Sequence, residues 1–307
     1  MMKKMKNFPH VYYFTLSNRR YRQIYMENQF ENFGIKYSKI AMGGDNDKNI
    51  LKKLKKGHSD GASLRCLAYN CYLLETLKKW YFESKEEHII IMEDDYDLQF
   101  IDLWHFSWEE LIDRLPYDWD CLQMGFECPD KVRFYLHPIQ PNYSLGPSLL
   151  KREYVEKLLD IFCDGEKYTF KGTVANSIYL NRDSGIGDNK FFVDLGGTPD
   201  YFICQNGKTY SLPLIPCNPL FEGSTHKGEW YPMMTFIFCY EAYLEWWKND
   251  KDNFSLDEFF SYGKSNDILM ERDITRWEPK YFEEKYKILR QTFLLDYEKY
   301  IFHPTTI

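Results

Sequence analysis

Three consecutive carboxylates, Glu93, Asp94 and Asp95, follow directly on the apolar run Ile-Ile-Ile-Met at residues 89–92, and Asp97 adds a fourth acid. Carboxylates this close repel one another, so we expect a positive charge at the same spot. A divalent metal ion that carries a phosphate is the simplest candidate, because hard cations prefer carboxylate oxygens. The alternative is an acidic turn that is solvated by water.

The apolar run before these acids is short and β-branched, which is typical of a strand buried on both faces of a parallel sheet. Such a strand can place acids only at its carboxyl end, where open α/β sheets bind their ligands. Earlier in the chain, residues 10–16 predict a buried strand, residues 19–33 a helix that ends at Gly34, and residues 35–40 a second strand. This order predicts a parallel β-α-β unit.

Three arginines, Arg19, Arg20 and Arg22, fall in the first turn of that predicted helix, just after the expected caps Ser17 and Asn18. The helix dipole disfavours cations at this end. Arginines placed against this preference can hold an anion at the helix start. The alternative is a surface helix with solvated arginines.

Two later loops offer further reactive groups. Asp188 follows Gly-Ile-Gly at residues 185–187 and is predicted to cap a helix, which presents its carboxylate beside a flexible loop. His226 lies in a polar, glycine-bearing loop after the last predicted sheet strand. Each also has a plain interpretation, as a simple helix cap for Asp188 and a solvated loop residue for His226.

The composition of the 307-residue chain, 44% hydrophobic and 28% charged, is ordinary for a globular protein. Its formal net charge of −7 argues against a nucleic-acid backbone as main partner, because such sites need a basic surface. The 8 cysteines are scattered without Cys-x-x-Cys spacing, which indicates a reduced protein. Because we find no secretory signal and no apolar run that could span a bilayer, we expect a cytoplasmic location, in a cell or in a virus host cell.

The end of the chain differs in character from the rest, because it is predicted to be helical and rich in aromatic residues. We therefore predict a catalytic α/β domain at residues 1–229 and a helical extension at residues 230–307. The extension is interpreted as packing on the domain or as the surface of a homodimer. Acids such as Glu241 and Glu245 argue against a helix that lies on a membrane.

Taken in order, these motifs resemble those of glycosyltransferase family 25, which includes relatives of lipopolysaccharide and collagen galactosyltransferases and has the GT-A fold. The family's Leu-Glu-Asp-Asp signature stands here as Met-Glu-Asp-Asp at residues 92–95. Its Trp-Asp-x-x-x-Leu-Gly strand is close to Trp-Asp-Cys-Leu-Gln-Met-Gly at residues 119–125. The resemblance covers residues 11–226 and implies an α/β fold, with a GT-A-like Rossmann-type mixed sheet flanked by helices.

Other family segments are kept in part. The opening Asn-Leu-x-x-Arg-x-x-Arg stretch matches residues 15–22 with Thr in place of Asn, and Ala-x-Asp-Gly matches residues 41–44 without its Asp. Of the Gly-Cys-x-x-Ser-His region only Cys66 is kept. The resemblance implies that a nucleotide sugar, expected to be a UDP-hexose, contacts Thr15, Leu16, Arg19, Arg22, Ala41, Glu93 and Asp94.

The resemblance also implies a metal, usually Mn²⁺ and alternatively Mg²⁺, that holds the diphosphate of the nucleotide sugar. Asp95 would be a direct ligand, with Asp94 or Glu93 facing the ribose or a metal-bound water, and His226 would complete the metal shell. The family inverts at the anomeric carbon, so a carboxylate must take the proton of the attacking hydroxyl. Asp188 is our choice for this base, ahead of Glu222 and Asp194.

The expected activity is thus the metal-dependent transfer of a hexose to a glycan, a lipid-linked sugar or another hydroxyl acceptor. A nucleotidyltransferase would need a glycine-rich basic loop directly after the first strand, and the sequence lacks that loop. The main alternative is a non-catalytic carbohydrate-binding or assembly protein that has kept the fold. A structural calcium site is a third interpretation, without the alternating ligands that such a loop needs.

Overall fold

The structure is a computed structural model that describes residues 4–44, 47–55, 64–125, 131–138, 146–170, 199–204, 206–219, 230–249, 254–261, 269–271, 284 and 287–288. Its central feature is a seven-stranded sheet. Across the sheet the strands lie in the order β2 (Tyr37–Met42), β1 (Val11–Leu16), β3 (His88–Glu93), β7 (Ser148–Lys151), β4 (Cys121–Gln123), β10 (Thr209–Ser211) and β6 (His137–Pro138).

The sheet is mixed. Strand β1 runs parallel to both of its neighbours, β2 and β3, and β10 runs parallel to β4. Strands β7 and β6 run antiparallel to the strands beside them. Outside the sheet, β8 (Cys163–Asp164) pairs with β9 (Lys167–Tyr168), and β5 (Lys131–Arg133) pairs with β11 (Leu269–Glu271).

Helices cover both faces of the sheet. They are α1 (Arg20–Phe33), α2 (Lys48–Leu51), α3 (Leu64–Glu83), α4 (Trp108–Arg114), α5 (Arg152–Phe162), α6 (Pro199–Cys204), α7 (Trp230–Asn249) and α8 (Leu256–Phe259), with a 3-10 helix at Leu98–Leu103. The predicted fold class, an α/β Rossmann-type mixed sheet flanked by helices, is confirmed. No helix in the described part of the chain is both long and apolar enough to cross a membrane.

Side chains of the strands alternate between two apolar layers. The face toward α1, α4 and α7 receives Val11, Tyr13, Ile90, Met92 and Leu122. The face toward α3, α5 and α6 receives Phe14, Ile89, Ile91, Cys121 and Leu150. The four apolar residues before the acids are at most 1% exposed, which confirms a strand buried on both faces.

The start of α1 differs from the prediction. Arg19 occupies the N-cap position and makes no capping hydrogen bond through its side chain, so the predicted caps Ser17 and Asn18 are wrong. The chain turns one residue later because the Arg19 N–H donates to the Leu16 carbonyl at 3.0 Å. The predicted end is confirmed, since Gly34 adopts the left-handed conformation with φ of 64°.

A short apolar run, which by its pattern alone is also typical of a buried strand, forms a helix in the structure. Residues 201–204, Tyr-Phe-Ile-Cys, belong to α6, which begins at Pro199. Proline fits the first turn of a helix, where no N–H is needed, and a short apolar run does not by itself distinguish a strand from a buried helix. Phe202 and Ile203 are fully buried in the layer that also contains α3 and α5.

The described part of the C-terminal region begins with α7, which shares the core on the α1 face of the sheet. Phe238, Tyr243 and Trp247 belong to that apolar cluster, and the Trp247 indole N–H donates to the Pro213 carbonyl at 3.0 Å. The division of the chain after residue 229 and the homodimer surface stay predictions.

Candidate functional site

Eight of the predicted site residues meet at one edge of the sheet. Strands β1, β2 and β3 are parallel, and the register pairs Thr15 with Ala41 and Phe14 with Glu93. The next position along β3 is Asp94, which therefore lies beside Thr15. The carboxyl ends of these strands and the start of α1 bring together Thr15, Leu16, Arg19, Arg22, Ala41, Glu93, Asp94 and Asp95.

Arg22 supplies the positive charge that the adjacent acids require. Its Nη1 lies 2.7 Å from Asp94 Oδ1 and 3.1 Å from Asp95 Oδ2. Thr15 Oγ1 donates to the other oxygen of Asp94 at 2.5 Å. Because Arg22 and Asp94 are only 1% and 4% exposed, the pair is buried, and a charge buried in this way must be matched by a partner.

The three arginines at the start of α1, expected to bind an anion, have different environments. Arg22 points into the protein and contacts the acids. Arg19 is partly exposed at the helix start, whereas Arg20 is exposed to solvent. Burial raises the pKa of Asp95, and the charge of Arg19 partly opposes that rise. Arg19 is thus the arginine best placed to meet an anion that approaches the acids from solvent.

Asp95 carries the unsatisfied group of the site. Burial raises its pKa while Arg22 opposes that rise, and its Oδ1 atom is buried with no hydrogen-bond partner among the residues that the structure describes. A buried acceptor in this state costs free energy, and a cation would remove the cost. The donor chemistry of Asp95 therefore fits a hard metal ion. In the described ranges, however, no three His, Cys, Asp or Glu side chains come together as a metal-binding group.

One face of α1 holds the acid segment, which we define as residues 93–97. Arg22 contacts two of its aspartates, Asp94 and Asp95. Tyr25 hydrogen-bonds to the third, Asp97, and Gln29 donates to the Tyr96 carbonyl at 3.1 Å. Gln29 Oε1 also accepts from the N–H of the residue after the segment, at 2.7 Å. Positions 22, 25 and 29 have the spacing of one helix face, so α1 contacts the segment from Asp94 to Asp97.

A second strand-like stretch pairs with the acid segment from the other side. Tyr96 forms an antiparallel bridge with Cys217, and the Asn218 N–H donates to the Asp95 carbonyl at 2.6 Å. The Asn218 side chain donates to the Tyr25 hydroxyl at 2.9 Å. Eight residues further along the sequence lies His226.

Close approach of the backbone joins the two strongest family-like motifs. A Cβ atom on Gly125, the last residue of the Trp-Asp-x-x-x-Leu-Gly match, would stand 2.3 Å from the Ile215 carbonyl oxygen and 2.9 Å from the Tyr96 ring. Only glycine fits there without displacement. The glycine of the second motif is thus required by the Ile215 backbone and by the Tyr96 ring, which directly follows the first motif.

Several predicted residues cannot be located. Asp188, its runners-up Asp194 and Glu222, and the metal ligand His226 lie outside the described residues, and their roles stay predictions. Sequence reasoning also missed four residues that support the acid segment. The spacing from Arg22 could have indicated Tyr25 and Gln29, whereas Asn218 and Tyr240 gave no local signal.

The opposite edge of the sheet contains a cavity of about 410 Å³ around His88 and Trp119. His88 is the first residue of β3 and Glu93 the last, so this cavity is about 16 Å from the acids at the usual rise per residue. None of the predicted site residues lines it. The cavity is therefore separate from the candidate site.

Comparisons with known proteins add little to this geometry. No family model matches the chain, and no curated protein matches it. Among solved structures, a crystal structure of A197 from STIV is similar at 11% identity and a TM-score of 0.35, covering 68% of this chain and 84% of that chain. The resemblance to glycosyltransferase family 25 therefore rests on the motifs and their order, and the structure assigns the chain to the Rossmann-type α/β folds.

Proposed function

We propose that this protein is a metal-dependent glycosyltransferase that moves a hexose from a nucleotide sugar, in the first instance a UDP-hexose, to an acceptor hydroxyl. The observation that carries the proposal is the buried Oδ1 of Asp95, which has no hydrogen-bond partner in the described part of the chain and lies at the carboxyl edge of parallel strands. Ligands of α/β sheets bind at this edge. The arginines at the start of α1 add the positive charge that a diphosphate requires.

The proposed metal, Mn²⁺ or Mg²⁺, would be held by Asp95 with His226, and it would neutralise the charge that develops on the leaving diphosphate. Thr15 and Arg22 use both oxygens of Asp94, which therefore serves to orient Arg22. The ribose contact then falls to Glu93, which is partly exposed at the end of β3.

The transfer step follows from this arrangement. The acceptor oxygen forms a bond to the anomeric carbon while the bond from that carbon to the diphosphate oxygen breaks. We assign the acceptor proton to the carboxylate of Asp188 and the stabilisation of the leaving phosphate to Arg19. Attack from the face opposite the diphosphate inverts the anomeric configuration.

A specific observation favours a second candidate function, a non-catalytic carbohydrate-binding or assembly protein. Arg22 already balances one of the two aspartate charges, so the acid pair is held in the folded protein without a metal. A protein that had lost catalysis could keep such a pair for its contribution to the fold. This candidate predicts binding of a glycan without any nucleotide.

Thermal unfolding with a panel of nucleotide sugars, in Mn²⁺ and then in EDTA, separates the two candidates. A ligand that binds only the folded state stabilises it by about 2.7 kcal/mol at a hundredfold excess over its dissociation constant. We expect a Mn²⁺-dependent rise in Tm with one UDP-hexose. Under hydrolytic or transfer conditions, release of UDP supports a glycosyltransferase, whereas release of pyrophosphate would indicate a nucleotidyltransferase.

Asp95→Asn removes the charge of the side chain but keeps its shape, and we expect it to abolish the Mn²⁺-dependent rise in Tm with the nucleotide sugar. Asp164→Asn is the matched control, because Asp164 is an exposed partner of Lys55 at the β8–β9 turn. A chain that shows no rise with any donor, but binds free oligosaccharides in EDTA, would overturn the proposal in favour of the second candidate.

A further inference from the structure

Asp97 is fully enclosed beside the proposed metal site. The residue is 3% exposed and caps the 3-10 helix by accepting the Gln99 N–H at 3.0 Å. Its other oxygen accepts the Tyr240 hydroxyl of α7 at 2.9 Å, and Tyr25 of α1 also hydrogen-bonds to it. Asp97 therefore joins two helices that are far apart in sequence.

These contacts form a ring that returns to Asp95. The Tyr25 hydroxyl bonds to Asp97 and accepts from the Asn218 amide, and the Asn218 N–H donates to the Asp95 carbonyl. The Asp97 N–H in turn donates to the Pro216 carbonyl at 3.0 Å. Movement of Asp97 would thus disturb the backbone on either side of Tyr96 and the position of Asp95.

The contact from α7 is the most distant member of the ring. The Tyr240 ring packs edge-on against Phe100, with ring centroids 5.2 Å apart, which directs its hydroxyl toward Asp97. Tyr240 is 143 residues from Asp97. A helix in the predicted C-terminal extension thereby contacts the acid segment directly.

We infer that Asp97 is a positioning residue for Asp95. Through its hydrogen bond to Asp97, Tyr240 of α7 supports the proposed nucleotide-sugar site. The expected effect on ligand binding rests on the proposed function. The expected effect on the acid segment rests only on the hydrogen bonds of the ring. Removal of the Tyr240 hydroxyl makes the acid segment more mobile and lowers the affinity for the ligand that Asp95 binds.

Tyr240→Phe is the direct test, since it keeps the ring against Phe100 and removes only the donor. Tyr154→Phe is the matched control, because the Tyr154 hydroxyl is also buried and donates one hydrogen bond, to the Ile203 carbonyl at 2.6 Å on the other face of the sheet. Both variants lose one buried hydroxyl, and the Tyr154 hydroxyl also bonds to the Asn206 backbone, so we expect Tyr154→Phe to lower Tm at least as much as Tyr240→Phe.

Two measurements then distinguish the variants. Amide hydrogen exchange of residues 95–98 should be about five- to tenfold faster in Tyr240→Phe and unchanged in Tyr154→Phe. The dissociation constant of UDP, measured by calorimetry in excess Mn²⁺, should rise by a similar factor only in Tyr240→Phe.

Unchanged exchange at residues 95–98 in Tyr240→Phe would overturn the inference, as would faster exchange with the same affinity for UDP and Mn²⁺ as the wild type. Failure of the wild-type protein to bind UDP with Mn²⁺ would instead contradict the proposed function. The exchange comparison would still decide whether Tyr240 holds the acid segment.

Discussion

Arg22 and Asp94 form a buried ion pair, with Nη1 and Oδ1 2.7 Å apart and side chains that are 1% and 5% exposed. This pair replaces part of the charge that a metal was expected to supply. The charge of the acidic motif is therefore partly balanced in the folded protein, and Oδ1 of its second aspartate, Asp95, stays available for a ligand.

The first prediction concerns the energy of this pair. Arg22→Leu should reduce the free energy of unfolding by about 3–5 kcal/mol, because it leaves buried carboxylates uncompensated. Asp94→Asn should also destabilise the protein, and the double variant should lose less than the sum of the two. Urea unfolding of all four proteins measures this coupling. Strictly additive losses would contradict a direct interaction.

The second prediction separates two arginines at the start of α1. Arg19→Ala should weaken the binding of UDP in the presence of Mn²⁺ by about tenfold, the usual scale of one charge-assisted hydrogen bond. Arg20→Ala is the control, because Arg20 is exposed to solvent and its charge acts on Glu27, away from the acid segment. Equal losses of affinity would mean that general electrostatic attraction, and not a contact from Arg19, binds the nucleotide.

The third prediction separates close packing from backbone conformation at two glycines. Gly125→Ala should cost about 3 kcal/mol of stability, because the new Cβ meets the backbone oxygen of Ile215. Gly34→Ala should cost about 1 kcal/mol, since its Cβ meets nothing within 4 Å but its φ of 64° disfavours any side chain. Chemical denaturation gives both values. A smaller loss for Gly125→Ala than for Gly34→Ala would contradict the close approach.

The fourth prediction concerns pH. Burial lowers the pKa of His88 below its ordinary value, so the unfolded chain binds a proton there more readily than the folded protein does. Stability should therefore fall as the pH drops below about 6.5, the ordinary histidine pKa. His88→Phe, which can keep the stacking on Trp119, should flatten this slope of Tm between pH 8 and 5.5.

Part of that slope should remain in the variant. His10 also has a pKa lowered by burial and contributes in the same direction. A variant with the full wild-type slope would show that His88 titrates normally in the folded protein.

The strand that leads into the acids was predictable because its pattern is local. Four apolar residues followed by carboxylates at 93–95 require a buried strand with a polar end, and parallel strands bring their carboxyl ends to one edge. The convergence of Thr15, Ala41 and Asp94 follows from those two facts.

Other features depend on contacts that a local pattern does not encode. The direction of the Arg22 side chain is determined by burial against the acids, and not by the helix dipole. The hydrogen bond from Tyr240 to Asp97 spans 143 residues. The apolar run in the helix at residues 199–204 is too short to show a period, so its pattern does not distinguish a helix from a strand.

The ion pair also has a consequence for the order in which ligands bind under the proposed function. Asp94, Asp95 and Arg22 together carry a single net negative charge, so a divalent ion alone would leave the site positively charged. The ion's charge is balanced only when a diphosphate arrives with it. The protein would then hold a bare cation weakly and a cation–nucleotide complex tightly, and it would release the ion together with the spent nucleotide at the end of each turnover.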